Sequence, residues 1–214
     1  MGSEIIKELE NPSFEVFFSN PRGIFWVVQN KCGSTYIKNL FAKKGFKSLL
    51  VNNTDSNEIL KDETIRERYF IYRDPIDRFM AWYDTFIYRN YVDEKSLEYA
   101  LDYKKLYTEA FLKLSFKKHD DVISSAYNFI SSYKYEELKE LVYYDTHTTP
   151  LTTYFKLTGE DIKDYNILDI SFLPQIIYDK FKEQHKGNTS KKAKFTKDNI
   201  VLLQKISEIL EPIY

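Results

Sequence analysis

The sequence predicts an α/β fold, a central parallel sheet flanked by helices and carrying a large helical insertion, and three observations support that reading. Ile24-Phe25-Trp26-Val27-Val28 is a short unbroken apolar run bounded by Gly23 and by polar Gln29-Asn30, the pattern of a strand buried on both faces. Similar runs recur at Tyr69-Phe70-Ile71-Tyr72, at Tyr165 to Ile170 around Ile167-Leu168, and at Lys47 to Val51. Helical patterns lie between them, and such alternation is what a helix-covered parallel sheet requires. Finally, the interval from Ile76 to Thr149 holds neither Gly nor Pro, and its apolar residues recur at three and four, which predicts a block of several helices.

After the first strand, Tyr36, Ile37, Leu40 and Phe41 share one helical face, and Ser34 and Thr35 are placed to cap its start. Pro75 is favoured at a first helical position, and Ile76, Phe79, Met80, Tyr83, Phe86 and Ile87 form the inner face that follows. Near the end, Thr196 and Asp198 open a helix whose inner face is Leu202, Leu203, Ile206, Ile209 and Leu210. The tyrosines of the helical block, among them Tyr88, Tyr91, Tyr99, Tyr103, Tyr107, Tyr127, Tyr133, Tyr143 and Tyr144, suit sugar stacking, but tyrosines at helical spacing more often pack at core boundaries. No repeat or linker stands out, so residues 1–214 are read as one domain with 76–149 as a helical block inside it.

Composition excludes several classes of function. The 31 basic and 32 acidic residues balance to a net charge of −1, which argues against a nucleic-acid coat or a membrane-surface protein. At 43% hydrophobic the chain is too apolar to be disordered, and its single cysteine excludes a disulfide scaffold or a four-cysteine zinc site. No run approaches the roughly 20 apolar residues of a transmembrane segment, and no signal pattern opens the chain. The chain as given is therefore expected to be cytoplasmic, while an anchor upstream of Met1-Gly2-Ser3 stays compatible with it.

The strongest local feature is Gln29-Asn30-Lys31-Cys32-Gly33-Ser34-Thr35, between the best strand and a helix start. This P-loop-like strand–loop–helix offers backbone N–H groups, a helix dipole, one Lys and two hydroxyls to a phosphate or sulfate. It is not a Walker A loop, which needs a second Gly and a Lys directly before the Ser or Thr. The competing reading is a plain strand-to-helix turn in which Gly33 relieves backbone strain. Arg73, leaving the end of a neighbouring parallel strand in Arg73-Asp74-Pro75-Ile76-Asp77-Arg78, would point into the same crevice. Alone, it could as well be a surface Arg paired with Asp74 or Asp77.

With these residues in view, the chain resembles the sulfotransferases that use 3′-phosphoadenosine 5′-phosphosulfate (PAPS), and within them the Golgi-type carbohydrate sulfotransferases. Lys31-Cys32-Gly33-Ser34-Thr35 is similar to the family's 5′-phosphosulfate loop, and Arg73-x-Pro75-x-x-Arg78 with Tyr83 to its 3′-phosphate motif. Asp145-x-His147-x-x-Pro150 resembles an Asp-x-His-Trp-x-Pro element, and His185-Lys186-x-Asn188-x-Ser190 a late His/Lys-Asn-x-Ser element. The resemblance implies that Lys31, Cys32, Gly33, Ser34 and Thr35 hold the 5′-phosphosulfate, Arg73 the 3′-phosphate, and Lys186, Asn188 and Ser190 the late phosphate contacts. It implies PAPS as co-substrate, adenosine 3′,5′-bisphosphate as product, no metal, and a glycan or other hydroxyl-bearing acceptor chosen by the helical block. Ala81 and Thr148 depart from the family's Ser and Trp.

Sulfuryl transfer builds charge on the bridging oxygen, which a positioned Lys31 can stabilise. A hydroxyl acceptor also needs a base. Of the three histidines, His147 is the first candidate, with Asp145 two residues away to orient it; the competing reading is a loop-stabilising His. His119 lies in a charged helix junction and His185 within the late motif. Cys32 has no base local to it and is read as a small loop residue. A small nucleotide kinase and a non-catalytic nucleotide-binding protein are the alternative functions.

Overall fold

A computed structural model of the chain describes residues 14–30, 32–51, 61–88, 121–182 and 197–214. These fall into two compact units, one drawn from 14–74 and 149–182, the other from 75–148 and 197–214. None of the helices among the described residues is long and apolar enough to cross a membrane.

The first unit is α/β. Its strands are β1 (Phe14–Ser19), β2 (Ile24–Val28), β3 (Lys47–Val51), β4 (Glu67–Tyr72) and β5 (Asn166–Asp169), in the spatial order β3-β1-β2-β4-β5. β2 is parallel to β4 and β4 to β5, as the buried runs predict. β1 was not expected, and it makes the sheet mixed, because it runs antiparallel to both β2 and β3. The cause is local: Asn20-Pro21-Arg22 forms a 3-10 turn, and Gly23 reverses the chain at a φ of 65°, so β1 and β2 are a hairpin. A Cβ on Gly23 would lie 2.9 Å from the Thr64 carbonyl oxygen, so the turn needs glycine twice over.

Each sheet face has its own core. Phe17, Trp26, Val28, Tyr69 and Ile71 face helices Ser34–Lys43 (α1) and Leu173–Phe181 (α6) through Ile37, Phe41, Leu173, Ile177 and Phe181. Val16, Phe18, Phe25, Val27 and Phe70 point the other way, onto Tyr154 of helix Leu151–Thr158 (α5) and onto Tyr165. The 165–170 run is less buried than its composition suggests, because β5 is at the edge of the sheet among the described residues, with Ile167 39% exposed.

The second unit is helical. Pro75–Tyr83 (α2) starts at proline as expected and continues into a π-helical turn, Asp84–Tyr88; the unit's described residues also form Val122–Ser131 (α3), Tyr135–Tyr144 (α4) and Lys197–Leu210 (α7). Asp121 caps α3 by accepting from the backbone N–H of Ile123 and Ser124. Phe79, Trp82, Tyr83, Phe129, Val142 and Ile206 lie at the centre of its core, with Tyr88, Tyr127 and Tyr133 packed at the margin. Tyr91, Tyr99, Tyr103 and Tyr107 lie outside the described residues, as does Thr196.

Candidate functional site

The sheet of the first unit sets one cluster. Val28 pairs with Ile71 in the parallel β2–β4 register, and Tyr72 with Asp169 in β4–β5, so the chain leaves three adjacent strands at the same end of the sheet. That end carries the Gln29 turn, Arg73 and the segment beginning at Ile170. The carboxyl ends of parallel strands are where ligands of open α/β sheets bind.

The turn is built from backbone. The Gln29 carbonyl accepts the Cys32 N–H at 3.2 Å, and Gly33 follows at a φ of 72°. A Cβ there would sit 3.4 Å from Leu173 Cδ2 and 3.8 Å from Ile170 Cδ1, so the segment after β5 packs on this glycine. The expected caps are corrected: Gly33 itself is the N-cap, no side chain caps α1, and Ser34 is its first residue. Serine and threonine cap from extended backbone, whereas here the left-handed glycine aims the chain directly into the helix. The Ser34 side chain is half-buried and Thr35 is exposed, beside the positive end of the α1 dipole. Cys32 is fully buried among Trp26, Ile37 and Leu173, so its thiol packs the core under the turn. Arg73 is half-buried. Lys31 lies outside the described residues, as do His119, His185, Lys186, Asn188 and Ser190.

The helical unit holds the second cluster. The Asp145 side chain is almost completely buried, and its Oδ1 accepts the His147 backbone N–H at 2.7 Å and lies 2.9 Å from His147 Nδ1. Its Oδ2 accepts the Trp82 indole N–H at 3.0 Å. Asp145 and His147 are thus brought together as expected. Arg78 and Tyr83, quoted with the phosphate motif, are turned inward. Arg78 is 2% exposed and donates to the Thr148 carbonyl at 2.9 Å, with its guanidinium over the Tyr214 ring. Tyr83 shares a 2.7 Å hydrogen bond with Ser125, and burial pushes its hydroxyl up to about 12. Thr148 is buried too, its hydroxyl donating to the Val142 carbonyl at 3.0 Å.

Sequence reasoning gave no role to Gln29 or Trp82. Gln29 is 2% exposed and donates to the Thr149 carbonyl at 3.1 Å; a polar residue directly after a buried strand was the available signal. Nothing local marks Trp82, whose partner is 63 positions away. Comparison with protein-family models, with curated proteins and with solved structures finds no match.

Proposed function

We propose that this chain is a PAPS-dependent sulfotransferase that moves a sulfuryl group onto a hydroxyl of a carbohydrate or glycan acceptor. The observation that carries the reading is the strand-end arrangement: a left-handed Gly33 turn entering α1 after β2, with Arg73 leaving the adjacent parallel strand at the same sheet end. In this proposal the turn is a P-loop-like cradle for the 5′-phosphosulfate, held by backbone N–H groups, the Lys31 ammonium and the Ser34 and Thr35 hydroxyls. Arg73 takes the 3′-phosphate, and Lys186, Asn188 and Ser190 add contacts to it. Residues 76–149 act as a helical insertion that selects the acceptor.

The acceptor hydroxyl oxygen attacks sulfur in line as the bond between sulfur and the bridging phosphate oxygen breaks. Lys31 stabilises the charge that grows on that oxygen, and adenosine 3′,5′-bisphosphate departs. His147 takes the hydroxyl proton, oriented by Asp145. The product nucleotide gives a direct test. Adenosine 3′,5′-bisphosphate is expected to raise the melting temperature while ADP with Mg²⁺ does not, and the reverse result assigns the chain to the kinases. Transfer of radiolabelled sulfate from PAPS to a glycan panel then separates an enzyme from a nucleotide-binding protein.

A further inference from the structure

Trp82 and Arg78 stand one helical turn apart on α2, so their side chains share a face. Both send N–H donors to one short segment: Trp82 to Asp145 Oδ2 at 3.0 Å and Arg78 to the Thr148 carbonyl at 2.9 Å. His147 lies within that segment. The Thr148 N–H also returns to the Asp145 carbonyl at 2.9 Å, closing the turn on itself.

The donors around Asp145 determine the state of the histidine. An indole N–H and a backbone N–H can only donate, so both carboxylate oxygens are acceptors, Oδ2 for Trp82 and Oδ1 for the His147 main chain. With Asp145 ionised, His147 Nδ1, 2.9 Å from Oδ1, meets an acceptor and itself carries the hydrogen. The indole is a fixed point, fully buried, with its ring centre 5.3 Å from that of Phe79 and 6.1 Å from that of Phe129. We infer that Trp82 is a positioning residue: by holding the Asp145 carboxylate it locks His147 in the Nδ1–H tautomer and makes Nε2 the ring nitrogen that takes a proton. This deepens the proposed reaction and rests on His147 being its base, but the tautomer itself can be measured with no substrate present.

The experiment is long-range ¹H–¹⁵N correlation of the imidazoles in the ¹⁵N-labelled full chain at a pH of about 8.5, where a free imidazole is neutral. With three histidines in the chain, His147→Gln assigns the signal. The wild type is expected to give a pyrrole-type Nδ1 and a pyridine-type Nε2; the opposite pattern overturns the inference. Trp82→Phe keeps the aromatic volume and removes the donor, so it should shift His147 toward the Nε2–H tautomer that imidazole prefers in water. A wild-type pattern in that variant equally overturns the role given to Trp82. Should Trp82→Phe not fold, Asp145→Asn serves instead, because its amide can donate to Nδ1 and force the opposite tautomer; an unchanged pattern sinks the idea. Where transfer is active, Asp145→Asn should lower kcat by about 10²-fold with KM little changed, as loss of an oriented base requires. If transfer is absent while the tautomers follow these expectations, the sulfotransferase reading fails and the positioning role stands.

Discussion

Gly33 and Asp145 each fix a turn beside a residue proposed for the chemistry, and they do it by different physics. At Gly33 the backbone is the device: a φ of 72° turns the chain from β2 into α1, and the only side-chain demand is that none be there. At Asp145 the device is a buried side chain, with a carboxylate accepting from Trp82 and His147 while Arg78 holds the carbonyl of Thr148. The first kind of turn is set by the backbone of one residue; the second presents an oriented ring and depends on partners far away in sequence. An anion needs only a ring of donors, whereas a base needs its lone pair aimed at one atom.

The sharpest way to break this contrast is Lys31→Ala. It should lower sulfate transfer by about 10²- to 10³-fold, the usual effect of losing one transition-state donor, with the melting temperature almost unchanged. A variant that keeps its rate in the radiolabelled assay would remove the proposed role of the loop. Next comes Gly33→Ala, which forces an L-residue into the left-handed region at about 1–2 kcal/mol. For a chain of this size that is a melting-temperature loss of about 2–8 °C by calorimetry, together with weaker binding of adenosine 3′,5′-bisphosphate.

Arg78→Met tests the other turn. It removes the donor to a buried carbonyl and should destabilise by about 1–3 kcal/mol in urea unfolding, while nucleotide affinity in calorimetry stays within about two-fold. A large loss of affinity without a loss of stability would return Arg78 to the phosphate site.

The smallest effect concerns acid. Asp121 is held below the usual carboxylate range: burial pushes it up, but hydrogen bonds from Ser124 and Ile123 prevail. Asp169 is lowered by Ser171, and Glu67 by Lys180 and Tyr69. Carboxyls depressed in the folded state contribute stability that is complete above their unfolded values, about 4, and is lost as pH falls through the folded ones. Stability is therefore expected to be flat from pH 7 to 5 and to decline below about 4. Asp121→Asn should flatten that decline in pH-dependent thermal melts.

Much of the architecture was legible because it follows from local pattern. The run from Ile24 to Val28 is β2 residue for residue, and Pro75 opens α2 as its chemistry predicts. β1 is not among the expected strands, although Phe14-Glu15-Val16-Phe17-Phe18 and the nearby Asn20-Pro21-Arg22-Gly23 carry a hairpin signal. Missing that strand is what turned a mixed sheet into an expected parallel one. In the candidate site, the turn at Gly33 could be read directly, because glycine scarcity and a strand-to-helix junction are both local facts. The direction of Arg78 could not, since an arginine in an Arg-x-x-x-x-Arg setting looks the same in sequence whether it faces an anion or a main-chain carbonyl.

The sequence by itself determined the run that becomes β2, the proline that opens α2, that a glycine turn joins β2 to α1, and that Asp145 and His147 are close enough to pair. These depend on backbone preference and on separations of a few residues. Only the tertiary structure decided that β1 enters the sheet between β2 and β3, that Cys32 belongs to a core, and that Trp82 and Arg78 hold the turn around His147. Each of those depends on which distant groups remain to satisfy a buried donor, acceptor or apolar face, and a linear pattern does not contain that information.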